Sequence, residues 1–290
     1  MSIKLTGAYK TDVGKQREQN EDTPFMHISE DGDQGLFIVA DGMGGYQAGE
    51  VASKLAVQKI SEALKSYLVP LSEQPTIKLT PVDEQQTTVL NPQQLGEQTA
   101  KPNKTSKLPE TLVKKSVEDR LKAAIRQANK AILSYGEQRS SARGLGCTVT
   151  AALIQDDQAY IVNIGDSRTY IFRDGALKPL TKDHSLVARL VEAKQIEPED
   201  VYTHPQRNLI YRSLGAGHKN VEPDVSFETL RPGDSLLLCS DGLWEMVRHQ
   251  QLLKVLTENS DPQKICNILI DLANDNGGDD NITAIFVQVR

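Results

Sequence analysis

Residues 37–45 read Phe-Ile-Val-Ala-Asp-Gly-Met-Gly-Gly, an apolar run that leads directly into one carboxylate on a glycine-rich turn. The run is typical of a buried strand, and Gly42, Gly44 and Gly45 permit close approach of the backbone to a ligand. The Asp41 carboxylate and the carbonyls beside it are hard oxygen donors, which divalent cations prefer. A strand that ends in Asp-Gly is more often a plain turn. The recurrence of the pattern elsewhere in the chain favours the ligand site.

Several further carboxylates stand where apolar strands meet turns. The full set is Glu21, Asp22, Asp41, Asp166, Asp241 and Asp280. Asp166 and Asp241 directly follow apolar runs, and Asp280 precedes the final one. If these strands are neighbours, the side chains converge at one edge of the sheets, where their charges repel unless a cation joins them. The sequence therefore predicts a site for divalent cations.

The donor chemistry narrows the choice of metal. Oxygen ligands without sulfur or imidazole select Mg²⁺ or Mn²⁺ over zinc, and the chain has no cysteine or histidine pair at ligand spacing. No segment matches the calcium loop of an EF-hand. Other phosphate motifs are incomplete, because residues 43–45 lack the Lys-Ser or Lys-Thr of a P-loop and residues 215–219 lack the last glycine of a dinucleotide fingerprint. A Gly-x-Ser-x-Gly nucleophile turn is also missing.

The periodicity predicts helices and strands that do not alternate regularly. Apolar residues at helical spacing indicate helices over 48–68 and 110–135, the second capped by Gly136, and Asp261 with Pro262 predicts the start of a third. Strand patterns cover 147–155, 158–165, 168–172, 235–240 and 282–289. The first two strands form a predicted hairpin over Asp156-Asp157. Because strands cluster in the sequence, we expect an α+β fold of antiparallel sheets covered by helices rather than a parallel sheet.

Composition limits the kind of protein. The chain has 290 residues, 38% of them hydrophobic, and a formal net charge of −6, so we expect no broad basic surface for nucleic acid or anionic lipid. No apolar run approaches the roughly 18 residues of a membrane span, and the start carries no signal core, which favours the cytosol. Cys147, Cys239 and Cys266 are far apart, and we interpret them as reduced core residues.

One segment differs from the rest in composition. Residues 70–107 are rich in Gln, Thr, Pro, Lys and Glu, with no sustained apolar period. We expect a mobile insertion within a single domain of residues 1–290, because neither flank alone carries a complete set of strands. A regulatory docking segment is the alternative interpretation.

At this point the sequence resembles the metal-dependent serine/threonine protein phosphatases of type 2C, in their bacterial form. The motifs that carry the resemblance are residues 17–22, 39–45 with Gly49-Glu50, 146–148, 165–168, 238–244 and 279–283. Their order spans nearly the whole chain apart from the polar insertion. The resemblance implies a four-layer αββα sandwich, in which two stacked antiparallel sheets are flanked by helices.

The resemblance also implies roles for the acidic residues. Asp41 would bridge two metal ions, the carbonyl of Gly42 would bind one, and Asp241 with Asp280 would hold the other. Two such ions would lower the pKa of a bridging water towards neutrality and make hydroxide available in line with phosphorus, so no protein nucleophile would be required.

The outer positions of the site have implied roles as well. Glu21 and Asp22 would act largely through metal-bound waters, and Asp166 with Asp241 would form a third, weaker site. Arg17 would orient the phosphate as a bidentate donor, although a salt bridge to Glu21 or Asp22 is the alternative.

Two features concern catalysis and substrate choice. Met43 stands where animal members carry a histidine that is a candidate general acid, so the group that protonates the leaving alkoxide is not identified. Residues 181–217, here called the flap segment, resemble the mobile flap over the family's active site, and we expect substrate choice to reside there.

The expected activity is hydrolysis of phosphoserine and phosphothreonine in proteins that a serine/threonine kinase has phosphorylated. We expect a cytoplasmic monomer that uses Mn²⁺ or Mg²⁺. One alternative is a catalytically weak module that binds phosphoproteins. Another is a phosphatase of small phosphate esters or phosphotyrosine.

Overall fold

The structure, a computed structural model, describes residues 3–44, 48–67, 110–139, 142 and 144–290. Helices and strands account for most of these residues. The expected insertion at 70–107 lies outside these residues. The helices are α1 (Ala48–Leu64), α2 (Glu110–Gln138), α3 (Leu186–Glu192), α4 (Asp241–Trp244), α5 (His249–Glu258) and α6 (Pro262–Asp275), with short 3-10 helices at Lys65–Tyr67 and Pro198–Tyr202. The strands are β1 (Leu5–Asp12), β2 (Thr23–Ile28), β3 (Gln34–Ala40), β4 (Gly42–Met43), β5 (Gly146–Cys147), β6 (Val149–Gln155), β7 (Gln158–Ile164), β8 (Arg168–Arg173), β9 (Ala176–Pro179), β10 (Leu214–Gly215), β11 (Asp224–Thr229), β12 (Ser235–Cys239) and β13 (Ile282–Val289).

Two large antiparallel sheets form the centre of the fold. Sheet I has the strand order β1-β13-β12-β8-β9, and sheet II has the order β11-β7-β6-β3-β2. The position of β3 in the middle layers explains why its residues 36–40 are all apolar. Phe37 and Val39 pack into the core between the sheets, whereas Leu36 and Ile38 pack under the helices on the outer face. A strand buried on both faces requires a continuous apolar run.

Helices cover the outer face of each sheet. Helices α1 and α2 pack on sheet II through residues such as Ile60 and Ile125, and α5 and α6 pack on sheet I through Leu256 and Leu269. Each helix buries one apolar stripe, as an amphipathic surface helix does. The expected α+β architecture of four αββα layers is confirmed.

The predicted hairpin over Asp156-Asp157 is confirmed, because β6 and β7 pair directly across that turn. The first strand of this hairpin was predicted to begin at Cys147. That residue instead lies outside the hairpin, in β5 of a small sheet with the order β10-β5-β4. There it is paired with Gly42 on one side and Leu214 on the other. All three cysteines are buried and free, as expected.

Helix boundaries follow local chemistry with one exception. Asp261 caps α6, because its Oδ1 accepts a 2.7 Å hydrogen bond from the N–H of Lys264. The prediction that Gly136 ends the second helix was wrong, since α2 continues to Gln138. A Cβ at Gly136 would lie 2.6 Å from the Leu145 side chain, so close packing and not helix termination accounts for the glycine. Within the described ranges, no helix is long and apolar enough to cross a bilayer.

Candidate metal centre

The antiparallel pairing gathers the acidic residues at one end of the sandwich. In sheet II the end of β3 adjoins the start of β2, which brings Asp41 near Asp22. In sheet I the end of β12 adjoins the start of β13, which brings Asp241 near Asp280. The two pairs also face each other, because the charge of Asp241 and that of Asp22 both raise the pKa of Asp41. The sequence prediction that strand ends converge is therefore met by the geometry.

Burial and mutual repulsion make these carboxylates hold protons strongly in the absence of a cation. Burial, followed by the charges of Asp241 and Asp22, raises the pKa of Asp41 well above its usual range. The pKa of Asp241 is likewise raised well above its usual range by burial and then by Asp166 and Asp280. Burial is also the main cause that raises the pKa of Asp22 to about 6 and that of Asp166 to about 7. Such a cluster favours either protons or a positive ion.

Buried carboxylate oxygens without a hydrogen-bond partner favour a bound cation over bound protons. Among the described residues, Oδ1 of Asp22, of Asp166 and of Asp241 are buried without any hydrogen-bond partner. Leaving a buried carboxylate oxygen unpaired is costly, and coordination of a cation removes that cost. The donor set is all oxygen, so it fits Mg²⁺ or Mn²⁺. In the part of the chain that the structure describes, no three Asp, Glu, His or Cys side chains stand close enough to form a finished ligand cluster. The described acidic groups share one region of the fold without forming a finished ligand cluster.

Glycine is required where the Asp41 turn meets the first helix. A Cβ at Gly42 would collide with the carbonyl of Gly49 and lie 2.6 Å from the carbonyl oxygen of Glu21. The Glu21 carboxylate lies at the start of α1, where burial raises its pKa and the backbone N–H groups of Glu50 and Gly49 oppose that shift. The Gly42 turn and Glu21 are therefore packed against the same helix terminus.

Arg17 lies at the rim of the site and pairs with Asp280. Its Nη2 donates a 2.7 Å hydrogen bond to Oδ2 of Asp280, and its side chain remains about half exposed. The alternative that Arg17 pairs with Glu21 or Asp22 was wrong, because the loop folds over the start of β13. A guanidinium beside a proposed metal ligand retains free N–H donors for an incoming anion.

Residues next to the aspartates hold them in place, and the sequence analysis did not identify these residues. Ser240 Oγ donates a 2.7 Å hydrogen bond to Oδ2 of Asp22. Asn281 Oδ1 accepts a 2.8 Å hydrogen bond from the N–H of Glu21. Each is the immediate neighbour of a predicted site residue and lies within a motif that carries the family resemblance, and those two signals would have indicated them. Such outer partners orient metal ligands.

A stacked pair supports the turn that carries Asp166. Trp244 Nε1 donates a 2.9 Å hydrogen bond to the carbonyl of Asp166. The Arg168 guanidinium lies 3.5 Å from the centroid of the Trp244 ring and binds Asp183 through Nε and Nη2. Glu245, also missed from the sequence, is mostly buried close to this turn and contacts Arg207 of the flap segment over 3.3 Å.

Two stacked antiparallel sheets between helices, with buried carboxylates at the strand ends, define the class of metal-dependent phosphatases. The family model described as Protein phosphatase 2C matches residues 91–282. The chain is 34% identical to the serine/threonine phosphatase Stp of Listeria monocytogenes over 280 residues, which are 97% of this chain and 94% of that protein. The chain belongs to the protein phosphatase 2C family.

Solved structures agree with this assignment over the whole fold. The serine/threonine phosphatase PstP/Ppp of Mycobacterium tuberculosis superposes with a TM-score of 0.74 at 33% identity, covering 98% of each chain. The catalytic domain of PstP in complex with two manganese ions gives a TM-score of 0.74 at 31% identity, covering 99% of each chain. Stp1 of Staphylococcus aureus gives 0.75 at 30% identity, covering 100% of this chain and 98% of the other.

Proposed function

We propose that this chain is a metal-dependent protein phosphatase that hydrolyses phosphoserine and phosphothreonine. Asp41, the carbonyl of Gly42, Asp241 and Asp280 hold two divalent ions in this proposal. Glu21 and Asp22 contact those ions through water, and Asp166 with Asp241 holds a third, weaker ion. The observation that carries the proposal is the unpaired, buried Oδ1 of Asp241 in a cluster of repelling carboxylates, in a chain of the protein phosphatase 2C family.

The position of each group indicates its role in catalysis. Bound divalent ions supply a water of lowered pKa and positive charge towards the phosphoryl group. Asp41 comes from sheet II and Asp241 from sheet I, so the ligands span both sheets and are held by the core between them. Arg17 donates towards the phosphate oxygens and releases Asp280 in part as it does so. Positioning and charge are the main requirements of phosphoryl transfer.

The finer parts of the proposal have separate support. The name of the Listeria relative supports phosphoserine and phosphothreonine as substrates, and the PstP complex supports two ions of manganese. The physiological substrates are then products of a serine/threonine kinase. The net charge of −6 favours neither nucleic acid nor anionic lipid as a partner. A cytoplasmic monomer remains our expectation.

The test is an assay of phosphoserine, phosphothreonine and phosphotyrosine peptides with Mn²⁺, with and without a chelator. We expect turnover of the first two peptides, loss of turnover with chelator, and loss in Asp41→Asn. Asp157→Asn, in the exposed hairpin turn, is the matched control. Activity that survives chelation contradicts the metal mechanism. Preference for phosphotyrosine contradicts the substrate class, and peptide binding without turnover indicates a binding module instead.

A further inference from the structure

A groove lies between helix α2 and the loop that follows β10. Side chains from residues 126–137 of α2 line one wall, and residues 219–222 of the loop line the other. The groove has a volume of about 620 Å³ and is open to solvent. A volume of this size is typical of a ligand-binding cleft.

Hydrogen bonds and an ion pair hold the two walls together. Asn129 is 3% exposed, and its Oδ1 accepts a 2.7 Å hydrogen bond from the N–H of Gly215, while its Nδ2 donates a 2.8 Å bond to the carbonyl of His218. At the other end of the loop, Glu222 pairs with Arg126 over 2.6 Å. The loop therefore runs antiparallel to α2, and the groove is preformed. A preformed site loses less conformational entropy when a ligand binds.

Lys130 and Lys219 supply positive charge to the groove. The nearby acid Glu222 is already balanced, because Arg126 and Lys122 pair with it over 2.6 and 3.2 Å. Lys130 and Lys219 are exposed, and neither forms an ion pair with a residue that the structure describes. Two such cations line one groove in a chain with a formal net charge of −6, which favours an acidic occupant between them.

Glu137 gives the groove an acidic end. It follows Lys130 by seven residues of α2, which separates the two side chains by about 10 Å along the helix axis. Leu133 lies between them and contributes apolar surface to the same groove. An extended peptide advances about 3.3 Å per residue, so about three residues cover this distance. A complementary peptide thus carries an acid, an apolar residue, and a base three positions from the acid.

The groove lies within reach of a substrate held at the candidate metal centre. Strands β10 and β4 flank β5 in the small sheet, and β4 begins at the residue after Asp41. Strands in a sheet are about 4.8 Å apart, which places β10 about 10 Å from β4. The four residues from Gly215 to Lys219 add at most about 14 Å. About eight extended residues therefore connect a phosphorylated residue at the centre with the groove.

We propose that the groove docks a segment of the phosphoprotein substrate that is separate from the residue to be dephosphorylated. The segment is extended and carries a carboxylate between Lys130 and Lys219, an apolar side chain on Leu133, and a base beside Glu137. This inference rests on the proposed function, because the docked segment belongs to the protein that is dephosphorylated. Docking is equal in the ground state and the transition state, so it lowers KM and leaves kcat unchanged.

The probes are phosphothreonine peptides that share one reacting segment. A linker of about eight glycine and serine residues joins that segment to one of three extensions, which are Glu-Leu-Ala-Lys, the neutral Gln-Leu-Ala-Gln and the basic Lys-Leu-Ala-Lys. Each extension is attached N-terminal to the reacting segment in one set of peptides and C-terminal to it in a second set. A further peptide has no extension.

Two double variants test the assignment of charges. The groove variant combines Lys130→Glu with Lys219→Glu and reverses the charge between the two walls. The control variant combines Lys254→Glu with Lys264→Glu and makes the same change of charge on α5 and α6, which cover the other sheet and where both lysines are exposed. Thermal unfolding checks that each variant is folded.

The readouts are kcat and KM with Mn²⁺. We expect Glu-Leu-Ala-Lys, on one side of the reacting segment, to lower KM by about 3–10-fold relative to Gln-Leu-Ala-Gln at equal kcat, because exposed ion pairs are individually weak. The groove variant should lose this gain and show it with Lys-Leu-Ala-Lys instead. The control variant should keep the preference of the unmodified chain, and the two variants should hydrolyse the peptide without extension alike.

Three results would overturn the inference. The first is equal KM for the Glu-Leu-Ala-Lys and Gln-Leu-Ala-Gln peptides in both attachment sets. The second is a gain in KM that survives in the groove variant, or that disappears equally in the control variant. The third is an effect of the extension on kcat in place of KM. Absence of hydrolysis of every peptide, including the one without extension, would instead contradict the proposed function itself.

Discussion

Ser240 Oγ donates a 2.7 Å hydrogen bond to Oδ2 of Asp22, although the two residues are 218 positions apart in the chain. Ser240 Oγ also accepts a 3.0 Å hydrogen bond from the N–H of Thr283. Ser240 follows β12 of sheet I, and Asp22 precedes β2 of sheet II. One buried hydroxyl therefore links the two sheets at the end where the acidic residues meet.

Removal of this hydroxyl should destabilise the fold and the metal site together. Ser240→Ala removes the acceptor of the Thr283 N–H and one donor to Asp22, which costs about 1–3 kcal/mol in the free energy of unfolding. Urea unfolding measures this change, and a Mn²⁺ titration should show about 10-fold weaker binding or more. Ser226→Ala, on the exposed edge strand β11, is the control and should change neither quantity. Full retention of stability and binding in Ser240→Ala would show that the link between the sheets is dispensable.

A methyl group at Gly42 should disrupt the turn that presents its carbonyl. The added carbon has no space between the backbones of Gly49 and Glu21, so Gly42→Ala must displace α1 or the turn. We expect a loss of about 2 kcal/mol or more in stability, as for other overpacked sites, together with loss of Mn²⁺-dependent activity. Differential scanning calorimetry with and without Mn²⁺ measures the loss of stability, and a phosphopeptide assay with Mn²⁺ measures the loss of activity.

The control for this substitution is Gly175→Asn. Gly175 has a positive φ of +74, a Cβ there meets nothing within 4 Å, and asparagine tolerates this conformation. The free energy of unfolding of Gly175→Asn should lie within about 0.5 kcal/mol of that of the unmodified chain. Equal behaviour of the two variants would contradict the steric argument.

Arg17 should act on substrate and barely on stability. Its ion pair with Asp280 is half exposed, and exposed pairs contribute about 0–1 kcal/mol. Arg17→Ala should therefore unfold close to the unmodified chain, while kcat/KM for a phosphopeptide falls by about 10–100-fold, which corresponds to loss of a charged hydrogen-bond pair. Arg17→Lys retains the charge but lacks the two parallel N–H donors of the guanidinium. Its kcat/KM should therefore lie between that of the unmodified chain and that of Arg17→Ala. A pure stability defect with unchanged kinetics would assign Arg17 a structural role only.

Metal affinity should rise with pH. Asp22, with a pKa of about 6, and Asp166, with a pKa of about 7, hold protons in the metal-free fold that an ion must displace. Titration calorimetry in buffers of different ionisation enthalpy should show proton release at pH 6, and apparent Mn²⁺ affinity should increase from pH 5 to 8. Affinity that is constant over this interval would contradict the shifted pKa values.

The same raised pKa values predict the pH dependence of the metal-free fold. A raised pKa of Asp166 contributes stability that is complete below its unfolded value of 3.8 and is lost as the pH rises through about 7. Burial lowers the pKa of His184, which acts in the opposite direction. The difference between the unmodified chain and Asp166→Asn isolates the carboxyl group, and that difference should shift in favour of the variant as the pH rises from 5 to 8. Urea unfolding in chelator measures it, and a shift in the reverse direction would refute the assignment.

Local sequence patterns were sufficient where burial imposes them. The all-apolar run of β3 reflects packing on both faces, and the Asp261-Pro262 start of α6 reflects helix capping chemistry. Strand ends followed by aspartates indicated the candidate metal centre because antiparallel neighbours bring such ends together. The spacing of Leu252, Val255 and Leu256 also carried a signal for α5, which the sequence analysis left unused.

Contacts between distant segments could not be predicted in this way. The hydrogen bond between Ser240 and Asp22 and the pairing of Arg17 with Asp280 depend on how two sheets stack, which no local period encodes. Strand β11 was missed because it is an edge strand whose residues, such as Ser226 and Phe227, are largely exposed. Gly136 was misassigned because a glycine demanded by packing and a glycine that ends a helix look alike in sequence.

The most direct test is anomalous diffraction at the manganese edge from crystals grown with Mn²⁺. The account predicts two strong peaks between the strand ends, both contacted by Asp41, with Asp241 and Asp280 on one of them. Peaks remote from these residues, or side chains of Asp41, Asp241 and Asp280 that point to separate places, would contradict it.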